Sequence, residues 1–192
     1  MGGSSRRGLT LIPLSIPLLT PDQASRPTAI ALGSFDGLHR GHRRVIEAIC
    51  QIHSPSGPDL EAVPSVVSFW PHPREVLGGE PRHRLDLPEE QLVLLEPLGI
   101  RQLVLVPFSK SLAALSPETF VVEVLAGQLQ ARRVAVGENF RFGVGRSGDA
   151  NDLARLAAAC GMSVSVLPIV MGDGDRVSSS RIRQALASGE LA

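Results

Sequence analysis

Residues 28 to 42 constrain the fold of this chain more than any other stretch. Thr28-Ala-Ile-Ala-Leu32 is an apolar run with the length and flanks of a buried strand. Gly33 and Gly37 punctuate a turn after it, and apolar residues return at helical spacing as Val45, Ile46, Ile49 and Ile52. A strand, a glycine turn and a helix start in that order make an anion site. The first helical N–H groups lack intrahelical partners, and the helix dipole favours negative charge there. The turn also carries His39-Arg-Gly-His42. At this spacing both imidazoles lie on one helix face, over its open end, and Gly41 leaves room for a ligand near the backbone. Two imidazoles so placed can donate hydrogen bonds to a phosphoryl group as its charge grows in a transition state. A His-x-x-His pair can also hold a metal, or be two incidental surface histidines. No third Cys, His or carboxylate stands at zinc-like spacing, so no metal-ligating set is expected and the phosphate reading leads.

A chain of 192 residues suits one α/β domain with a full core. Nineteen basic and nineteen acidic residues cancel, so the net field carries no sign of a nucleic-acid partner. Lys110 is the only lysine, which excludes a Walker A loop, whose chemistry requires one. Cys50 and Cys160 lie far apart in apolar helical segments and read as reduced, packed thiols of a cytoplasmic protein. Arg6 and Arg7 precede an apolar run from Leu9 to Leu19, yet Pro13 and Pro17 interrupt it and no small-x-small cleavage site follows. The run is also too short to span a bilayer. The expectation is a flexible N-terminal arm over 1–27, a single domain over 28–192, and no membrane partner.

Further along, strands are expected at 28–32, 64–70, 102–107, 133–136 and 163–167. The first helix should run to about His53, where Ser54-Pro-Ser-Gly-Pro58 ends it. Asp86 is the expected cap of a helix ending at Gly99, with Glu89 at its third position. Ser116 with Pro117, Asp149, and Ser178 mark three more helix starts. Strands alternate with helices, and most strands are continuous apolar runs. This predicts an α/β, Rossmann-like, doubly wound parallel sheet of about five strands, with helices on both faces and ligands at the carboxyl ends of the strands. His39 and His42, His72, Asn139 to Phe142 and Ser178 to Arg183 all follow strand ends.

Gly33-x-Phe35-Asp36-x-x-His39-x-Gly41-His42 resembles the signature of the nucleotidyltransferase superfamily that shares its mechanism with class I aminoacyl-tRNA synthetases. Three more segments narrow the match. Phe69-Trp-Pro71-His-Pro73 followed by Leu77 offers a rigid apolar ledge, which its prolines should hold extended, and a planar isoalloxazine needs such a slot. Gly137-Glu-Asn139-Phe-Arg-Phe142-Gly143 is a second, and Arg176-Val-Ser178-Ser179-Ser180-Arg-Ile-Arg183 the third, with hydroxyls, helix N–H groups and forked guanidinium donors together. In this order the segments resemble the FMN adenylyltransferase module of the bacterial bifunctional riboflavin kinase/FAD synthetase family, over roughly residues 28 to 190. Ser34 stands where Asn is usual, Trp70 where an acidic residue is typical, and Ser180 where Thr is usual.

The resemblance implies transfer of AMP from ATP to FMN, giving FAD and pyrophosphate by direct in-line attack. It implies that His39, His42, Ser179 and Arg176 act on the phosphates, with Ser178, Ser180 and Arg183 beside them and Mg²⁺ bridging the ATP oxygens. Gly33, Phe35 and Asp36 would shape the adenosine side; Phe69, Pro71, Pro73, Leu77, Asn139 and Phe142 would hold the flavin, with Trp70 nearby. The family's bifunctional members continue into a riboflavin kinase module, absent from this chain, which stops at Ala192. Two alternatives stay open: a sister enzyme acting on pantetheine phosphate or nicotinamide mononucleotide, and a flavin-nucleotide binding module without catalysis. Gly143-Val-Gly145-Arg-Ser-Gly148 also matches G-x-G-x-x-G, but Glu138 to Phe142 separate it from the preceding strand. It reads as a flexible glycine loop without a phosphate role.

Overall fold

The computed structural model describes residues 16–50, 61–79, 84–172 and 175–189. Its main sheet has six strands, each pair parallel: β1 (Leu18–Leu19), β2 (Thr28–Leu32), β3 (Val63–Trp70), β4 (Gln102–Pro107), β5 (Ala131–Gly137) and β8 (Ser163–Leu167). The spatial order is β1-β4-β3-β2-β5-β8. Period-two alternation distributes each strand between two cores. Ile30 and Leu32 of β2 enter one core with Val67, Val134 and Val136, while Ala29 and Ala31 enter the other with Val66 and Ala135.

Helices close both faces. Helix α1 (Arg40–Cys50) covers the second core through Val45, Ile46 and Ile49, together with α3 (Pro88–Leu95) through Leu92 and Leu95. On the first core lie α6 (Ala150–Ala159) and a segment that starts as one turn of α5 (Pro117–Thr119) and continues as a π-helix, Phe120–Gln128. Its buried face carries Phe120, Val121, Val124 and Leu125. Short pieces complete the chain: α2 (Pro73–Gly78), α4 (Lys110–Ala113), the hairpin strands β6 (Arg141–Phe142) and β7 (Gly148–Asp149), the pair β9 (Met171–Gly172) and β10 (Asp175–Arg176), and α7 (Ser179–Ser188). Among the described residues, no helix is long and apolar enough to cross a membrane.

Three expectations need correction. Residues 16–27 are not an arm. Leu18 and Leu19 form a parallel edge strand on β4, Leu103 N–H donates to Pro17 O at 3.0 Å, and Ile16 and Ala24 are buried. Gln102 also holds this segment through both faces of its amide, accepting from Ser25 N–H and donating to Ser25 O, each at 2.9 Å. A proline at the start of an edge strand costs no ladder bond, which is why Pro17 is compatible with it. The sheet therefore has six strands, within the expectation of about five plus this edge strand; residues 1–15 lie outside the described residues, as does the expected end of α1 near His53.

The second correction concerns α3, whose cap sits one residue later than Asp86. Pro88 takes the first helical position, and Leu87 N–H is satisfied by the Glu90 carboxylate at 2.8 Å. Third, Pro73 does not hold an extended ledge. It opens α2, which His72 caps by accepting from Arg74 N–H at 3.1 Å while Glu75 accepts from His72 N–H at 3.1 Å.

Candidate active site

The strand order reverses direction between β2 and β5. The chain moves from β2 to β3 and β4 on one side, then crosses to β5 and β8 on the other. Loops leaving the carboxyl ends of such neighbours splay apart and leave a crevice, the usual ligand position in open α/β sheets. Here that crevice is a cleft of about 1440 Å³. It exceeds the roughly 300–1,000 Å³ of a pocket for one drug-sized ligand, so it has room for two.

One end of the cleft brings together two histidines and two helix starts. His39 precedes α1, and its Nδ1 accepts from the His42 backbone N–H at 3.3 Å. His42 Nδ1 donates to Gly37 O at 3.1 Å. These partners assign the neutral tautomers: the proton of His39 resides on Nε2, that of His42 on Nδ1. Burial holds His42 down to about 3, assisted by the neighbouring His39 and opposed by the Gly37 carbonyl, so at neutral pH it is uncharged. Gly37 has φ of 69°, and a Cβ there would come within 2.6 Å of Leu85 Cδ1, so the turn that aims His42 requires glycine.

The start of α7 faces this turn. Ser178 caps the helix, accepting from Arg181 N–H at 3.4 Å. Ser179 Oγ donates to Asp36 O at 2.6 Å, and Arg183 pairs with the Asp36 carboxylate. Ser178, Ser179, Ser180, Gly33, Phe35, Asp36 and Arg183 all line the cleft with the two histidines. Arg176 ends β10, and its side chain lies outside the described residues.

The other end is aromatic. All six phenylalanines of the chain line the cleft. Phe108 meets Phe69 edge-on at 5.9 Å, Phe69 meets Phe120 at 6.3 Å, Phe120 meets Phe142 at 5.7 Å, and Phe140 stacks on Phe142 at 5.6 Å. The sixth, Phe35, tilts against His42 at 5.1 Å. Sequence reasoning selected Phe69 and Phe142, held Phe140 within its candidate segment Asn139 to Phe142, and missed Phe108 and Phe120. The available signal was scarcity: a chain with no tyrosine and one tryptophan had concentrated its few aromatic rings.

Pro73, Leu77 and Asn139 also line the cleft, with Leu77 well exposed at its mouth. Pro71 does not; it is exposed on the strand end. Trp70 is likewise displaced from the cleft, because adjacent strand residues point to opposite faces. Its ring lies under the Arg84 guanidinium, 3.4 Å away, and Arg84 is itself paired with Glu75 at 2.7 Å. The G-x-G-x-x-G segment packs against α5: a Cβ on Gly143 would meet Pro117 Cγ at 2.7 Å, and one on Gly148 would meet Phe142 Cε1 at 2.8 Å. Gly143 and Gly148 are closely packed, whereas a Cβ on Gly145 would meet nothing within 4 Å, and Gly143, Gly145 and Arg146 line the cleft.

A model of the FAD synthetase family matches residues 22–181. The bifunctional riboflavin kinase/FMN adenylyltransferase of Escherichia coli strain K12 is 32% identical over 164 residues, covering 85% of this chain and 51% of that protein. Its counterpart in Bacillus subtilis strain 168 is 32% identical over 179 residues, covering 91% and 53%. The chain thus spans about half the length of these curated relatives. Among solved structures, a Streptococcus pneumoniae protein described as a macrolide-efflux protein superposes with a TM-score of 0.76 at 25% identity, covering 92% of this chain and 59% of the other. Pantoate-beta-alanine ligase from Francisella tularensis, at 13% identity, TM-score 0.51 and coverage of 88% and 73%, shares the fold alone. The matched span takes in the histidine turn, the aromatic wall and the serine start of α7, and the chain belongs to the FAD synthetase family.

Proposed function

We propose that this chain transfers AMP from ATP to FMN, giving FAD and pyrophosphate, as a cytoplasmic enzyme acting on small molecules. The observation that carries the reading is one continuous cleft with a phosphate end, made by two helix starts and two histidines, and an apolar end made of phenylalanine. A triphosphate suits the first and an isoalloxazine the second. A pantetheine or nicotinamide acceptor would leave much of that aromatic wall without use.

An FMN phosphate oxygen attacks the α-phosphorus of ATP. The new P–O bond forms as the bond to the α,β-bridging oxygen breaks, and pyrophosphate departs with that electron pair. No covalent enzyme intermediate is needed, so the chain's contribution is positioning and charge stabilisation. His39 offers Nε2–H directly. His42 becomes a donor through Nε2 once it takes up a proton, which the arriving phosphate charge favours. Ser178, Ser179, Ser180 and the first N–H groups of α7 face the triphosphate, with Arg176 and Arg183 near them. Gly33, Phe35 and Asp36 border the adenosine, while Phe69, Phe142, Leu77, Pro73 and Asn139 border the flavin. No group of three His, Cys, Asp or Glu residues stands together among the described residues. Magnesium would arrive on the ATP phosphates as part of the substrate.

Incubation of the purified chain with FMN and Mg·ATP, with separate measurement of FAD and pyrophosphate, tests the reading. Equal amounts of both products are expected. Saturable FMN binding without turnover, or faster reaction with pantetheine phosphate or nicotinamide mononucleotide, would sink it.

A further inference from the structure

Asp36 sits in the turn between β2 and α1 and is the meeting point of three segments distant in sequence. Its Oδ1 accepts from Leu85 N–H at 2.7 Å and Asp86 N–H at 3.3 Å. Its Oδ2 pairs with the Arg183 guanidinium of α7, and its backbone carbonyl accepts from Ser179 Oγ at 2.6 Å. Asp86 reciprocates across the same turn, accepting from Gly37 N–H at 2.8 Å. Gly37 O in turn accepts from His42 Nδ1 at 3.1 Å and His39 N–H at 2.6 Å. Two adjacent residues therefore connect both histidines, the start of α7 and residues 85–86.

The charges explain why a carboxylate is tolerated beside a phosphate site. Unpaired, Asp36 would repel an incoming triphosphate and lose hydration at a high energetic cost. Paired, it is neutralised by Arg183, and the side chains of Asp36 and Arg183 are only 14% and 16% exposed. A guanidinium committed to a carboxylate in this way is a strut between two elements.

We propose that Asp36 and Arg183 are positioning residues of adenylyl transfer, whose ion pair sets the separation between the histidine turn and the serine end of α7. The proposal rests on the FMN-adenylylation reading. A triphosphate must meet both helix starts at once, and displacement of one by about 1 Å is enough to cost on the order of 10²-fold in rate. The pair acts through the geometry of its neighbours.

The test is a double-mutant cycle in the full chain: Asp36→Asn, Arg183→Met and the double variant. Turnover, KM for ATP, melting temperature and the imidazole NMR signals of His39 and His42 are measured on each. The expected result is a kcat lower by about 10²-fold in each single variant, KM for ATP within a few-fold of the parent, and a double variant no worse than the poorer single. Both histidine signals should shift alike in all three. A raised KM for ATP in Arg183→Met, with Asp36→Asn unaffected and the losses additive, would make Arg183 a direct phosphate ligand and overturn the proposal. Lower melting temperatures with parental kcat and KM would reduce the pair to packing and overturn it equally. Where Arg183→Met fails to fold, Arg183→Lys keeps the charge but loses the forked geometry, and should show the same pattern in smaller measure. A parent chain that makes no FAD refutes the FMN reading instead. The NMR arm still decides the strut, because unchanged imidazole signals in the variants overturn it without any turnover.

Discussion

The imidazole rings of His39 and His42 stack face to face, with centroids 3.7 Å apart and planes 17° from parallel. At this distance two imidazolium ions repel strongly, and with His42 neutral the pair carries at most one charge near neutral pH. The hydrogen bonds around it distinguish the two rings: His39 carries its proton on Nε2, and His42 is a buried neutral ring with its proton on Nδ1.

His42→Ala should reduce kcat far more than it weakens ATP binding. Under the proposed function the remaining N–H groups of α1, the serines of α7 and magnesium arriving with ATP would still hold the ground-state nucleotide. The His42 contact strengthens as charge builds on the transferring phosphate, and such an interaction appears in kcat. Loss of one preorganised donor costs about 10²–10³-fold. Steady-state kinetics on a variant with a normal melting curve checks this, and a loss confined to KM for ATP would refute it.

Stability should fall with acid between pH 6.5 and about 3, partly because of His42. Its pKa is depressed from 6.5 to about 3 in the folded chain, so below pH 6.5 the unfolded chain binds a proton that the folded chain refuses. The stabilisation is complete above pH 6.5 and lost progressively towards pH 3. One proton corresponds to a slope of about 1.4 kcal/mol per pH unit. Urea unfolding of the parent and His42→Gln across this range should show a shallower slope in the variant; parallel curves would contradict the assignment.

Phe142→Ala should weaken FMN binding by about tenfold or more, since it removes a ring from the stacked wall, where an aromatic pair is worth about 0.5–1.5 kcal/mol beyond its buried area. Trp70→Phe should leave FMN affinity within about twofold, because the Trp70 ring packs under Arg84 outside the cleft. Flavin fluorescence titrations on both variants decide. The reverse ranking would return Trp70 to the flavin site.

Gly143→Ala should destabilise the chain by roughly 1–3 kcal/mol through collision with Pro117 and through its φ of 74°. The folded fraction should keep the parental ATP affinity. If ATP binding is lost while the melting curve holds, the glycine segment has a phosphate role after all.

Much of this architecture is written in local patterns. The apolar run 28–32, the glycine turn and the periodicity of α1 placed the histidines at a helix start because each needs only neighbouring residues to be satisfied. For the same reason Ser178 and Asp149 marked helix starts correctly, and Ser163–Leu167 matched its strand to the residue. Other features depended on competition between distant groups. Leu18 and Leu19 are too short a run to read as a strand; register with Leu103 and Val104 makes them one. Asp86 has the chemistry of a helix cap, but the N–H of Gly37, 49 positions away, takes its carboxylate and leaves capping to Glu90. Alternation put Phe69 and Trp70 on opposite faces of β3, yet which face held the cleft followed from where the strand order reversed. Arg183 was expected beside the phosphates, and no local pattern pointed to a carboxylate partner. Folding brought Asp36 to it across 147 positions, because a largely buried cation is stable only beside an anion held in place by the rest of the fold.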